Sequence, residues 1–132
     1  MNAAVMKVDL KKAYDFLDWG YLRMVLFKIG INPNMAEWIM GCVSSVRYAV
    51  IINGFPSNFF DIGRGLRQGC ALSPLIFILA MDGLSLKIKK IMSIGDFEAL
   101  KISSRVTVSH SFFVDDILLM GMINMIKWFC LS

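Results

Sequence analysis

Apolar positions change their spacing along the chain, and each spacing predicts a different element. Residues 3–10 form a short apolar run that ends near Asp9 and predicts a buried strand. The next apolar positions recur three and four residues apart, which predicts a helix that ends at Gly30. Asn32 and Pro33 then supply an N-cap and a first-turn proline for a second helix. The expected inward positions of the two helices are Tyr21, Leu22, Val25, Leu26 and Ile29, and Met35, Ile39, Met40, Val43 and Val46.

Strand and turn signals dominate the middle of the chain. Residues 47–52 are rich in β-forming side chains, Asn53-Gly54 is a strong turn signal, and residues 59–62 can return as the partner strand, so a hairpin is expected. Ser73-Pro74 then predicts the start of a third helix, which runs to about Met92.

The last third of the chain returns to strand-like patterns. Strands are expected at 99–102 and 106–114, with Asp115-Asp116 as a turn into a strand over 117–120 and a short helix over 122–131. This mixed order predicts an α+β fold with helices packed on one face of an antiparallel sheet. A length of 132 residues suits one domain, 1–132.

Composition raises the question of a membrane, because 57% of the residues are apolar and the mean hydropathy is +0.62. The longest apolar stretches, 70–81 and 117–126, are interrupted and fall short of the roughly 20 residues that a spanning helix needs. No membrane partner is therefore predicted. The excess apolarity predicts exposed apolar surface and poor solubility.

Charge and cysteine content restrict the remaining possibilities. A net charge of +4 permits a nucleic-acid partner without demonstrating one. Cys42, Cys70 and Cys130 are odd in number and widely spaced, which favours neither a disulfide framework nor a zinc site. His110 has no Cys or carboxylate at ligand spacing, so we expect a strand or core histidine. The N-terminal residues do not resemble a secretion signal, so secretion is not predicted, and a reducing interior suits the three cysteines.

Carboxylates at predicted strand ends are the main candidates for chemistry. Asp9 ends one apolar run, and the pair Asp115-Asp116 lies between two others. An uncompensated carboxylate in such a place is costly unless it meets a cation, and hard carboxylate oxygens suit Mg²⁺. Taken singly, each acid is more often a cap or a solvated turn than a metal ligand.

A glycine-rich segment, 63–69, is the second candidate. Its backbone can approach a ligand closely because glycine lacks a Cβ, and Arg64, Arg67 and Gln68 supply polar side chains. An ordinary surface loop is the alternative. Tyr14, taken alone, is most simply a core aromatic at the start of a helix.

Three motifs resemble those of reverse transcriptases, in the same order. They are Lys7-Val8-Asp9-Leu10-Lys11-Lys12-Ala13-Tyr14-Asp15, Arg67-Gln68-Gly69-Cys70-Ala71-Leu72-Ser73-Pro74 and Phe113-Val114-Asp115-Asp116. The pattern is most similar to the polymerases of non-LTR (LINE-type) retrotransposons and covers residues 7 to about 120. Val114 departs from that family, which most often has Ala at this position.

The resemblance implies an RNA-directed DNA polymerase palm. In that family, the positions of Asp9, Asp115 and Asp116 bind two catalytic Mg²⁺ ions, with Asp9 and Asp115 as the expected bridging residues and Asp116 beside them. The position of Tyr14 closes the space under the sugar, and those of Arg67, Gln68 and Gly69 position template and nucleotide. The partners implied are an RNA template, a DNA primer and a deoxynucleoside triphosphate.

The same resemblance implies a fragment that lacks complete fingers and thumb. Only eight residues precede Asp9 and 16 follow Asp116, whereas family members surround the palm with both subdomains. A parent polyprotein would supply the missing segments. Because phosphoryl transfer depends on positioning and electrostatic clamping, a palm alone is expected to polymerise little or not at all. A non-catalytic, nucleic-acid-binding remnant of a retrotransposon is the alternative.

Overall fold

A computed structural model of the chain describes residues 3–95 and 98–122. The elements are β1 (Ala3–Asp9), α1 (Ala13–Phe16), α2 (Trp19–Lys28), α3 (Pro33–Ser44), β2 (Arg47–Tyr48), β3 (Ile51–Ile52), β4 (Phe55–Pro56), β5 (Phe60–Asp61), α4 (Leu72–Ile94), β6 (Leu100–Lys101), β7 (Thr107–Val108), β8 (His110–Phe113) and β9 (Asp116–Met122). Helices combined with antiparallel strands confirm the α+β class. Among these residues, no helix joins the length and the apolarity that a bilayer crossing requires.

The chain divides into two compact units. One, called here the sheet unit, consists of Met1–Lys11 and Met81–Ser132; the other, called here the helical unit, is Lys12–Ala80. Helix α4 contributes residues to both. The description of residues 1–132 as a single domain stays a prediction.

A three-stranded antiparallel sheet with the order β1-β9-β8 forms the centre of the sheet unit. Seven consecutive residues of β1 pair with β9, from Ala3 opposite Met122 to Asp9 opposite Asp116. The prediction that β1 is buried was wrong, because its residues alternate between exposed and half-buried. Successive side chains of a strand point to opposite faces, and here only one face is covered.

The turn that joins β8 to β9 lies one residue earlier than the sequence predicted. Val114 and Asp115 form the turn, and Asp116 is already the first residue of β9, paired with Phe113. Val114 has a φ of 55° whereas Asp115 has a negative φ. A positive φ at the first central residue alone is the pattern of a type II′ hairpin turn, which suits the twist of the strands.

His110 of β8 lies half-buried between two hydroxyl groups. Its Nε2 is 2.7 Å from Oγ of Ser85 on α4, and its Nδ1 is 2.7 Å from Oγ of Ser109. Burial, with a smaller contribution from the positive charge of Lys89, holds the pKa of His110 below its usual value.

The predicted helices α2 and α3 both belong to the helical unit. The Asp18 carboxylate accepts a hydrogen bond from the Tyr21 amide at the start of α2, and Asn32 does the same for α3. The core of this unit comprises Leu22, Val25, Leu26, Ala36, Met40, Val43, Leu66, Ile76, Phe77 and Ala80. The prediction of Met35 as an inward residue of α3 was wrong, because Met35 is exposed and the neighbouring Ala36 is buried instead.

The predicted hairpin is present and carries exposed apolar side chains. Residues Asn53 and Gly54, both with positive φ, connect β3 to β4, and β2 pairs with β5 further from the turn. Ile51 and Phe55 are 73% and 77% exposed. The predicted exposure of apolar surface is therefore found here, whereas poor solubility stays a prediction.

Two predicted helices remain, the third helix and the short helix near the C-terminus. Helix α4 begins at Leu72, one residue before the predicted Ser73-Pro74 start. Met122 ends β9, and the remainder of the short helix predicted up to residue 131 lies outside the described residues.

Candidate functional site

Asp9 and Asp116 lie directly opposite each other at one end of the sheet unit. Asp9 is the last residue of β1 and Asp116 the first of β9, and the antiparallel register pairs the two. Directly opposed residues place their side chains on the same face, with Cβ atoms about 4.5–5.5 Å apart. Two carboxylates that are distant in sequence therefore share one end of one sheet face.

Asp115 joins these residues through its backbone. The amide of Leu10 donates a hydrogen bond of 2.9 Å to the carbonyl oxygen of Asp115, which continues the β1–β9 ladder by one residue beyond Asp9. The hairpin turn is thus attached to the end of β1. We call Asp9, Asp115 and Asp116 together the carboxylate end of the sheet.

Lys7 provides a cation at the carboxylate end. Its Nζ atom lies 2.8 Å from Oδ2 of Asp116, in an ion pair whose lysine side chain is 62% exposed. The hydrogen bond and the charge of Asp116 raise the pKa of Lys7, and Asp9 and Asp115 add to this effect. No role for Lys7 was predicted from the sequence, although Lys7 begins the first motif. Its position two residues before Asp9 in a strand was the available signal, because i and i+2 share a face.

The carboxylate oxygens at the carboxylate end are the ligand type that suits a hard divalent cation, although they do not form a complete coordination shell. Among residues 3–95 and 98–122, no three His, Cys, Asp or Glu side chains are grouped so that they could hold a metal ion. Mg²⁺ in polymerase-type sites needs only one or two carboxylates, because waters and substrate phosphates supply its other ligands. The opposed pair Asp9 and Asp116 meets that requirement. The Lys7 ammonium group lies against one of the two carboxylates.

A groove of about 510 Å³ forms a second feature, within the helical unit. All four residues predicted to position nucleotide or template line it, namely Tyr14, Arg67, Gln68 and Gly69, together with Cys70, Ala71, Ser73 and Pro74. Its volume lies within the usual range for small-molecule sites. The structure thus brings these four residues together, and their role stays a prediction.

Tyr14 packs against a neighbouring aromatic ring and lines the groove. Its ring stacks on Phe77, with 4.7 Å between ring centroids and 15° between ring planes, and the side chain is half-buried. Its carbonyl oxygen accepts a hydrogen bond of 2.8 Å from the Leu66 amide. Tyr14 is therefore a packed aromatic that also forms part of the groove wall.

Gln68 has a fixed orientation in the groove. Its Nε2 atom donates a hydrogen bond of 3.2 Å to Oδ1 of Asp15. An ionised carboxylate only accepts hydrogen bonds, so the amide nitrogen faces Asp15 and the amide oxygen is left for another donor. Asp15 is the last residue of the first of the three motifs, and the structure shows it as the partner of Gln68.

The glycine-rich segment is held by contacts that tolerate no side chain at Gly65. A Cβ placed there would lie 2.6 Å from the carbonyl oxygen of Asp15, and φ is +89°. The indole nitrogen of Trp19 donates to the Gly65 carbonyl at 2.8 Å, and the Gly65 amide donates to the Leu17 carbonyl at 2.8 Å. Close backbone approach therefore explains this glycine.

Arg64 and Cys70 are two further residues of the helical unit whose neighbouring groups the structure identifies. The Arg64 guanidinium lies 4.4 Å from the ring centroid of Phe16 and is not part of the groove lining. Backbone amides at the start of α4, first that of Leu72, lower the pKa of the Cys70 thiol in the groove.

Comparison with known proteins gives one family. The family model described as reverse transcriptase (RNA-dependent DNA polymerase) matches residues 1–123 of the chain. The match includes the carboxylate end and the groove residues.

Relatives of known origin are longer than this chain. The Pol polyprotein of the type-1 retrotransposable element R2 from Popillia japonica is 23% identical over 116 residues, which cover 88% of this chain and 18% of that protein. The transposon TX1 149 kDa protein of Xenopus laevis is 30% identical over 82 residues, covering 62% of this chain and 6% of that protein.

A solved structure shares the fold. Telomerase from Candida albicans, solved with a TWJ fragment of telomeric RNA, aligns with a TM-score of 0.69 at 15% identity, over 98% of this chain and 24% of that one. At this identity the similarity supports the fold alone.

Proposed function

Since the chain belongs to the reverse transcriptase family, we propose that it is a segment of an RNA-directed DNA polymerase, with Asp9, Asp115 and Asp116 as its catalytic carboxylates. The observation that carries the proposal is the register of β1 and β9, which places Asp9 opposite Asp116. No other pair of acids in the described residues combines a family motif with direct opposition across two strands.

Two Mg²⁺ ions are the proposed cofactor. When bound, such ions activate the attacking hydroxyl and stabilise the leaving oxygens of an in-line displacement. Asp9 and Asp116 would hold them from opposite strands, and Asp115 would hold them from the turn. The hydrogen bond from Leu10 to Asp115 keeps the turn at the end of β1, so the backbone of Asp115 is held beside the opposed pair Asp9 and Asp116.

The groove is the proposed position of the incoming deoxynucleotide. The Tyr14 ring is held against Phe77 and would limit the space at the sugar. Gln68 presents an amide oxygen because Asp15 binds its amide nitrogen. Gly69 has a φ of +80°, and a Cβ added to it would meet no atom within 4 Å, so the backbone is open to a ligand at that point.

An RNA template and a DNA primer are the proposed partners. The net charge of +4 favours contact with phosphates, and the telomerase neighbour was solved with an RNA fragment. The segments that relatives carry beyond this region would complete the grip on the duplex.

Primer extension on an RNA template tests the catalytic assignment in a fusion that adds the segments that relatives carry beyond this region, because positioning by such segments contributes much of the rate of phosphoryl transfer. We expect Mg²⁺-dependent extension to fall by about 100-fold or more in Asp116→Asn, because a charge that stabilises the transition state is removed. Asp82→Asn is the matched control, since Asp82 is an exposed carboxylate of α4, and it should leave extension unchanged.

Two results would contradict the assignment. Extension that persists in Asp116→Asn would remove the metal role of this residue. Salt-sensitive RNA binding without any synthesis by the wild-type form of the same fusion would instead support a non-catalytic remnant.

Alkylation of cysteines tests the groove independently of synthesis. Cys70 lines the groove and Cys42 is exposed on α3. A deoxynucleoside triphosphate should therefore slow alkylation of Cys70 and leave Cys42 unaffected, as measured by mass spectrometry of the separated peptides. Equal rates at Cys70 with and without nucleotide, at saturating concentration, would exclude the groove as the nucleotide site.

A further inference from the structure

Lys7 is a surface lysine whose ammonium group contacts a carboxylate of the proposed metal site. Lys7 and Asp9 lie on the exposed face of β1, two residues apart. Asp116, opposite Asp9, shares that face. Lys7 reaches diagonally across the strand pair, and its Nζ atom lies 2.8 Å from Oδ2 of Asp116. Its charge is thus directed at the carboxylate end and not along the edge of the sheet.

The contact occupies one of the two oxygens that the Asp116 carboxylate can offer to a metal ion. Oδ2 of Asp116 accepts the ammonium hydrogen bond, and a divalent cation on the same carboxylate would lie a few ångströms from a positive charge. Two like charges at such a distance repel each other. The ammonium group therefore opposes binding of the ion until it moves away, which the exposed lysine side chain permits.

We propose that Lys7 is a placeholder cation: it occupies Asp116 when no metal is bound and is displaced when a divalent cation binds. This inference rests on the proposed metal role of Asp116. Its consequence is that Lys7 weakens metal binding and lowers the repulsion among the carboxylates in the metal-free protein. It is a positioning residue and takes no part in the reaction itself.

Exposure of the pair sets the expected size of the effect. An exposed ion pair contributes little because water screens it. Removal of Lys7 should therefore tighten binding of a divalent cation by about two- to fivefold, the factor that corresponds to such a pair. A purely structural lysine would lower stability without any change in cation affinity.

Mn²⁺ titration followed by electron paramagnetic resonance measures this affinity on the chain as it stands. Mn²⁺ suits oxygen ligands as Mg²⁺ does, and its free form gives the signal. The variants are Lys7→Met, Lys101→Met and Asp116→Asn, with the double variant of Lys7 and Asp116. Lys101→Met removes the same charge from β6 of the same unit, and Lys101 has no ion pair among the residues that the structure describes.

The expected results separate Lys7 from general electrostatics. Lys7→Met should bind Mn²⁺ about two- to fivefold more tightly than wild type, whereas Lys101→Met should match wild type. In the Asp116→Asn background the Lys7 substitution should have a smaller effect, because the carboxylate that binds the ammonium group is gone and only the charges of Asp9 and Asp115 still act on Lys7. Lys7→Gln replaces Lys7→Met if the latter aggregates, and circular dichroism checks the fold of each variant.

Failure of this inference and failure of the proposed function give different results. If Asp116→Asn weakens Mn²⁺ binding but Lys7→Met leaves it unchanged or weakens it, the placeholder role is wrong and the metal role of Asp116 survives. If Asp116→Asn binds Mn²⁺ as wild type does, the proposed metal site is wrong, and the role of Lys7 is rejected with it.

Discussion

The carboxylate end of the sheet and the groove of the helical unit are built by different means. Asp9 and Asp116 are placed by seven consecutive paired residues of β1 and β9, that is, by a regular backbone ladder. The groove has no such ladder. Its position depends on single contacts: Trp19 with the Gly65 carbonyl, Gln68 with Asp15, and Ser73 with the Arg67 carbonyl.

This difference predicts different sensitivities to mutation. A ladder distributes the placement of a residue over many hydrogen bonds, so one side-chain change leaves the register intact. A loop held by single contacts loses its shape when one of them is lost. Substitutions in the two regions therefore test this difference, and they follow in order of decreasing expected effect.

Gly65→Ala should have the largest effect. The added Cβ would lie 2.6 Å from a backbone oxygen at a φ of +89°, so both a clash and backbone strain oppose it. We expect the free energy of unfolding to fall by about 2–4 kcal/mol, as measured by urea denaturation. Gly63→Ala is the matched control, because a Cβ at Gly63 meets no atom within 4 Å. Similar losses in both variants would refute the close-approach explanation.

Val114→Gly should have a smaller effect, of opposite sign. Val114 is a β-branched residue at a φ of 55°, and it is 59% exposed. Glycine relieves the strain and sacrifices little burial, so we expect the free energy of unfolding to rise by about 1 kcal/mol. Val106→Gly, at an exposed valine without a positive φ, should instead lower it. A loss of stability in Val114→Gly would mean that the turn is not strained.

His110 should give the smallest effect, visible only in the pH dependence. Burial keeps its folded-state pKa below the unfolded value near 6.5. As the pH falls below neutral, the unfolded chain takes up the proton on this histidine before the folded chain does. The stability that neutral His110 contributes is therefore fully present above the unfolded pKa and is lost as the pH falls through the folded pKa. The free energy of unfolding should fall less between pH 7.5 and 5 in His110→Gln than in wild type. This histidine is the single one in the chain, and identical slopes would exclude the effect.

Local patterns predicted most of the elements. The helices of the helical unit followed from apolar spacing and from the Asn32-Pro33 start, and the hairpin followed from Asn53-Gly54. These signals act over a few residues, so neighbouring side chains suffice to specify them. The same locality explains the errors: spacing alone did not separate Met35 from Ala36, nor did it place the turn at Val114 and Asp115, because one residue of shift costs a local pattern little.

The sequence by itself determined the types of element, the motifs with their acids and the family to which the chain belongs. Only the tertiary structure decided that Asp9 faces Asp116, that Lys7 pairs with Asp116 and that Asp15 orients Gln68. The physical reason is that these contacts join residues from separate elements. Backbone pairing and side-chain approach between such elements depend on how the chain folds back on itself, which no local spacing records.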